Sequence, residues 1–110
     1  MSELKLYQKS YDFMLWLFNK TDGFPKSKRF SVGQRIENTM LEFVIMLNNL
    51  QYSKPNRREL YMLSVKFDEV KLLVKISYDA KLIAKNSFAY AVERCDEIGS
   101  MLGGYIKSAG

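Results

Sequence analysis

The chain has no histidine and only one cysteine, Cys95. Without histidine, the commonest general base and the commonest nitrogen ligand for metals are both missing. One cysteine can close no intrachain disulfide and build no zinc site, which fits a reducing compartment. Cys95 also falls on an apolar helical seam, where a small core residue is expected rather than a nucleophile. The longest unbroken apolar run, Phe13-Met14-Leu15-Trp16-Leu17-Phe18, is far shorter than the ~20 residues that cross a bilayer. The opening Met1-Ser2-Glu3-Leu4-Lys5-Leu6 has no apolar segment following a basic one, as a secretory signal would. A cytoplasmic protein with no membrane association is expected. Phosphate loops, dinucleotide fingerprints and calcium-loop patterns are missing as well. Carboxylates such as Glu37, Asp68 and Asp96 are present, but the paired Glu-x-x-His motifs of di-iron bundles need histidines that this chain lacks. The expectation is no catalytic residue, no metal and no cofactor.

Proline is scarce in an informative way. Pro25 and Pro55 are the only two, and each falls between long periodic segments. Asp22-Gly23-Phe24-Pro25-Lys26-Ser27 is turn chemistry, and Pro55 suits a helix start, where its missing N–H costs nothing. A softer third break is expected around Ala84-Lys85-Asn86-Ser87, with Asn86 or Ser87 as the cap.

Hydrophobic residues make up 47% of the 110 residues against 26% charged, so the chain is not disordered. That length fits a single domain, residues 1–110, able to bury roughly 65% of its unfolded surface. Between the breaks the apolar period is helical. Leu4, Tyr7, Tyr11, Met14 and Phe18 mark the first segment, with Leu15 widening the stripe, and Phe30, Gly33, Ile36, Met40, Val44 and Leu47 mark the second. Leu60, Leu63, Phe67, Val70 and Val74 mark the third, and Phe88, Val92, Cys95, Ile98, Leu102 and Tyr105 the fourth. No segment alternates long enough for a strand. The spacing predicts an all-α fold, an antiparallel up-down-up-down four-helix bundle.

Two features exceed what one bundle needs. The third segment has a second apolar stripe (Met62, Val65, Leu72, Leu73, Ile76), and the first adds Leu6, Phe13, Trp16 and Leu17 beside its main one. A helix buried on one side needs only a stripe about 100° wide, so a homo-oligomer is expected. The other feature is a row of small residues, Ala91, Cys95, Gly99 and Gly103, spaced four apart. Glycine inside a helix costs about 1 kcal/mol relative to alanine, so close helix packing is expected along that row.

Acidic residues are outnumbered, twelve against seventeen, leaving a net charge of +5. The excess is local. Residues 20–35 hold five cations and one carboxylate, and residues 54–85 hold eight and four. Candidate contacts to a polyanion are Lys26, Lys28, Arg29 and Arg35, then Arg57 and Arg58, Lys71 and Lys75, and Lys81 and Lys85 toward the end of the third helix. Such residues neutralise phosphates without reading bases, so RNA and DNA would be bound with little sequence preference. Arg29 and Arg58 can make forked phosphate contacts that lysine cannot. Two readings stand at this point: a nucleic-acid surface, or a solvated basic face on a structural adaptor. Arg35 with Glu42, and Glu93 with Arg94, are expected to form ordinary surface or intersubunit ion pairs.

Three stretches carry a family resemblance. They are Tyr11-Asp12-Phe13-Met14-Leu15-Trp16-Leu17, then Phe24-Pro25-Lys26-Ser27-Lys28-Arg29-Phe30, then Gly33-Gln34-Arg35-Ile36-Glu37-Asn38-Thr39. With the closing Asp96-Glu97-Ile98-Gly99 and Met101-Leu102-Gly103-Gly104 they resemble the accessory variability determinant (Avd) proteins of diversity-generating retroelements. Tyr105 stands where that family's pattern has tryptophan. The ribosomal-RNA intervening-sequence proteins share the Phe-Pro-Lys turn and the four-helix bundle, but not the Met-Leu-Gly-Gly ending. The resemblance implies a homopentameric, basic, nucleic-acid-binding subunit that associates with a reverse transcriptase. It would support mutagenic retrohoming, in which an RNA template is copied with errors at adenines into a variable gene. The chemistry would belong to the polymerase.

Overall fold

A computed structural model of the chain describes residues 3–50 and 52–109, and the side chains of Glu3 and Leu4 lie outside what it describes. Four long helices carry the fold: α1 (Glu3–Asp22), α2 (Gln34–Leu50), α3 (Arg57–Asp79) and α4 (Lys85–Ser108). No strand occurs among the described residues, and no helix there is long and apolar enough to cross a membrane. The molecule is elongated, 43 × 22 × 20 Å.

Each helix contacts its neighbours through specific pairs. Lys9 reaches Glu97 at 2.9 Å while Trp16 meets Tyr90 at 4.8 Å between ring centres, joining α1 to α4. Phe43 of α2 packs on Phe67 of α3 at 5.0 Å, and Lys66 bonds Glu42 at 2.9 Å beside them. Tyr78 and Phe88 stack at 4.2 Å across the α3–α4 connection. Within the chain Glu42 pairs with Lys66 rather than with Arg35, while Arg94 and Glu93 pair at 3.2 Å.

The core runs through all four helices, and its α3 stripe is the expected one: Leu60, Leu63, Phe67, Val70 and Val74 are buried. On α1 the buried face is displaced from expectation. Leu6, Phe13, Met14 and Leu17 are inside, with the polar Ser10 and Thr21 completing the row, whereas Tyr11 and Leu15 are exposed. Thr21 is tolerated because its hydroxyl has the Phe18 carbonyl and the Glu37 carboxylate as alternative acceptors for its one proton. On α4, Ala91 takes the inward place expected of Val92, which is exposed.

The helix ends correct two further expectations. Asn56 caps α3 in a reciprocal box: its side chain accepts from the Glu59 N–H, and the Glu59 carboxylate accepts from the Asn56 N–H. Helix α3 ends at Asp79, so Lys81 and Lys85 are not on it. Lys81 lies in the connection, and Lys85 opens α4. Ala84 holds the cap position, which no side chain bonds, and Asn86 instead accepts from the Ser87 N–H at 2.9 Å within the first turn.

Candidate nucleic-acid interface

The connection between α1 and α2 is helical turn rather than loose chain. A short turn, Lys26–Lys28, follows Pro25, and a π-helical turn, Arg29–Gly33, leads into α2. Two buried residues pin it. Phe24 is 3% exposed, and a Cβ built on Gly33 would stand 3.3 Å from the Phe24 ring and 3.4 Å from the Lys28 carbonyl oxygen. Between these anchors Lys26, Lys28, Arg29 and Phe30 are all exposed. Arg29 also donates to the Asp22 carbonyl at 3.1 Å, tying the segment to the end of α1 and satisfying one of its open carbonyls. The guanidinium keeps further donors for a ligand.

Phe30 departs from the expected core stripe: it is 65% exposed. The π-helical turn explains the outcome. Its wider winding turns each residue through less than the α-helical 100°, so a position three residues before Gly33 rotates further from the buried face.

The connection between α3 and α4 lies at the same end of the molecule. Phe24 from the first connection and Ile83 from the second line one narrow cleft, together with Lys20, Ile36, Val74 and Ser77. The end of α3 closes with the Leu82 N–H donating to Ser77 and the Lys81 N–H to Tyr78, a helix stop that glycine usually fills. Here Lys81 occupies it at φ 63°, the only non-glycine residue with positive φ among those described. A side chain in that region costs roughly 1–3 kcal/mol, and such strain gathers at functional positions.

The structure thus sorts the candidate cations. Lys26, Lys28, Arg29, Arg35, Lys81 and Lys85 belong to one end, joined by Lys20, which sequence reasoning passed over. Among the described residues no carboxylate lies within ion-pairing distance of any of these seven. Lys71 and Lys75 lie on the flank of α3 and are each held by a carboxylate, Asp68 at 3.6 Å and Asp79 at 2.8 Å. Arg57 and Arg58 open α3, about 34 Å away along a 23-residue helix. They do not join the basic end.

The small-residue row on α4 divides as well. Ala91 and Cys95 are buried. An added Cβ would meet only the flexible end of Lys71 at Gly99, 3.7 Å away, and nothing within 4 Å at Gly103. Close packing is therefore not made at those two glycines within one chain. Burial pushes the Cys95 thiol up to about 12, so it stays protonated at neutral pH. No cluster of three or more potential metal-ligating side chains occurs among the described residues.

A family model described as bAvd-like matches residues 4–109. Comparison with curated proteins and with solved structures finds no match.

Proposed function

The chain belongs to the bAvd-like family, and from that premise we propose that it is a non-enzymatic accessory subunit of a reverse transcriptase in a diversity-generating retroelement. Its role is to hold nucleic acid on the basic end while the polymerase carries the chemistry of mutagenic retrohoming. One observation carries this reading: cations from two separate connections meet at one end of the bundle, unpaired among the described residues. A cluster left without counter-charges is a ready site for phosphates, whereas ion-paired cations such as Lys75 are partly spent.

Architecture and assembly belong to the same proposal. The helix pairs 9 with 97 and 16 with 90, and 43 with 67, support a single antiparallel up-down-up-down bundle across residues 1–110. Most of the second stripe on α3 is exposed, with Met62 at 51% and Leu72 at 60%, while Leu73 is half-buried against the core. Heptad spacing through Met62, Val65, Leu72 and Ile76 suits a contact with a second copy, and a homopentamer follows the family. An unmatched apolar face on a free subunit is otherwise a liability.

The test is binding of labelled RNA and DNA by fluorescence anisotropy across salt. Affinity should fall steeply between about 50 and 200 mM salt, with a log–log slope near −0.9 per neutralised duplex phosphate. Co-purification with the reverse transcriptase of the same element tests the partner. A protein that binds neither nucleic acid at low salt would overturn the reading in favour of a structural adaptor.

A further inference from the structure

The basic end contains one residue that phosphate binding does not use. Phe30 lies in the run Lys26-Ser27-Lys28-Arg29-Phe30-Ser31, and it is 65% exposed. Among the described residues no other ring packs on it. Most other exposed apolar residues, such as Leu41, Met62, Val65 and Leu72, lie on the long helices, and Tyr52 lies in the α2–α3 connection at the opposite end. A protein-binding patch would need contiguous apolar area, and one ring among cations and serines does not supply it. A ring flanked by Lys and Arg is instead the pattern that holds single strands, in which cations track the backbone while an aromatic face stacks on a base. The ring's position is also well defined, because buried Phe24 and the crowded Gly33 brace the segment on either side.

We propose that Phe30 is a stacking platform for an unpaired base, and that the ligand class of the basic end is single-stranded nucleic acid with accessible bases. This rests on the reading of that end as a nucleic-acid surface, and adds to it a discrimination that charge alone cannot make. In a duplex the base faces are already stacked on one another, so only the phosphates remain for this surface. On a single strand Phe30 contributes a contact that salt does not screen.

The experiment compares an oligo(dT) strand with a DNA duplex of matched length, using the wild type, Phe30→Leu and Phe30→Trp. Leucine keeps bulk and apolarity but loses the aromatic face. Phe30→Leu should weaken oligo(dT) binding about tenfold and duplex binding by less than about twofold. The salt slope should stay unchanged, since no charge is removed. Phe30→Trp should restore strand binding, and its emission should be quenched by oligo(dT) beyond any quenching in the wild type, whose one tryptophan is Trp16. Equal losses on strand and duplex, or no loss on either, would overturn the stacking role while leaving the phosphate surface intact. A fall in light-scattering mass for Phe30→Leu would also overturn it, by assigning the ring to a subunit contact. If the wild type binds neither probe, the nucleic-acid reading itself fails.

Discussion

The ammonium of Lys75 sits 2.9 and 2.8 Å from the two carboxylate oxygens of Asp79, one turn along α3. A cation held this way offers little to a phosphate, because binding one would mean giving up or sharing the carboxylate. The contrast with Lys28 and Arg29, which face no carboxylate among the described residues, ranks the basic clusters. Replacing Lys28 and Arg29 together with alanine should reduce the salt slope by nearly two phosphates' worth, about 1.8 on duplex DNA. Replacing Lys71 and Lys75 should reduce it by less than half of that. Anisotropy titrations at several salt concentrations measure both, and circular dichroism should show unchanged helix content. A larger loss from the Lys71 and Lys75 pair would reverse the ranking.

Lys81→Gly should separate stability from binding. Glycine suits the left-handed conformation at φ 63°, and the variant should gain about 0.5–1 kcal/mol in urea unfolding once glycine's own entropy is counted. Nucleic-acid affinity should drop at low salt, since one cation leaves the basic end. An unchanged affinity would show that Lys81 lies outside the bound path.

Two glycines should respond in opposite directions. Gly33 is hemmed in by Phe24 and the Lys28 carbonyl, so Gly33→Leu should cost about 1–3 kcal/mol through overpacking. Gly103 has open space around it, and Gly103→Ala should raise stability by about 1 kcal/mol through helix propensity. Light scattering decides what the open row does in an assembly. A lower mass for Gly103→Ala would place a neighbouring subunit against α4.

Stability should weaken at both ends of the pH scale. Hydrogen bonds from Lys66 and Lys9 hold Glu42 and Glu97 below the ordinary 4.5. Their contribution is present above that value and is lost as pH falls through the lowered folded values. Cys95 acts at the other end. Its thiol is raised by burial from 9.0 to about 12, so the unfolded chain ionises first and stability declines between those values. Melting temperature against pH should be flat near neutrality, and Glu42→Gln with Glu97→Gln should blunt the acid fall. A thiol reagent at pH 8 should modify Cys95 only at the rate of unfolding or local opening.

How far the sequence carried this picture depends on what each residue reports. The α3 stripe was legible because its apolar positions are all filled by apolar residues, from Leu60 to Val74. The face of α1 was not, since Ser10 and Thr21 hold two inward positions and Tyr11 and Leu15 mark an outward one. Periodicity weighs side-chain type, and a buried threonine bonded to Glu37 looks like surface until that partner is seen. The exposure of Phe30 was hidden for a related reason: a helical period assumes one winding, and the π-helical turn changes it. The basic residues were all visible as residues. That the cations around 26–35 and 81–85 share one end was implicit in the up-down order expected of the helices. Asp68 with Lys71 and Asp79 with Lys75, three and four residues apart on one helix, were legible as spacing but were not read as pairs.

Placing both connections at the same end gives the molecule a direction. In a closed ring of n copies related only by rotation, every subunit presents the same end the same way. The basic termini would then gather on one rim or around one circumference, and never alternate. Where they gather on one rim the ring is two-sided, and a strand or a polymerase docking along its axis would meet the cations of 26–35 and 81–85 on one face and Arg57 and Arg58 on the other. Stacking two rings back to back would cancel that difference. That direction belongs to the individual chain before any copy is added.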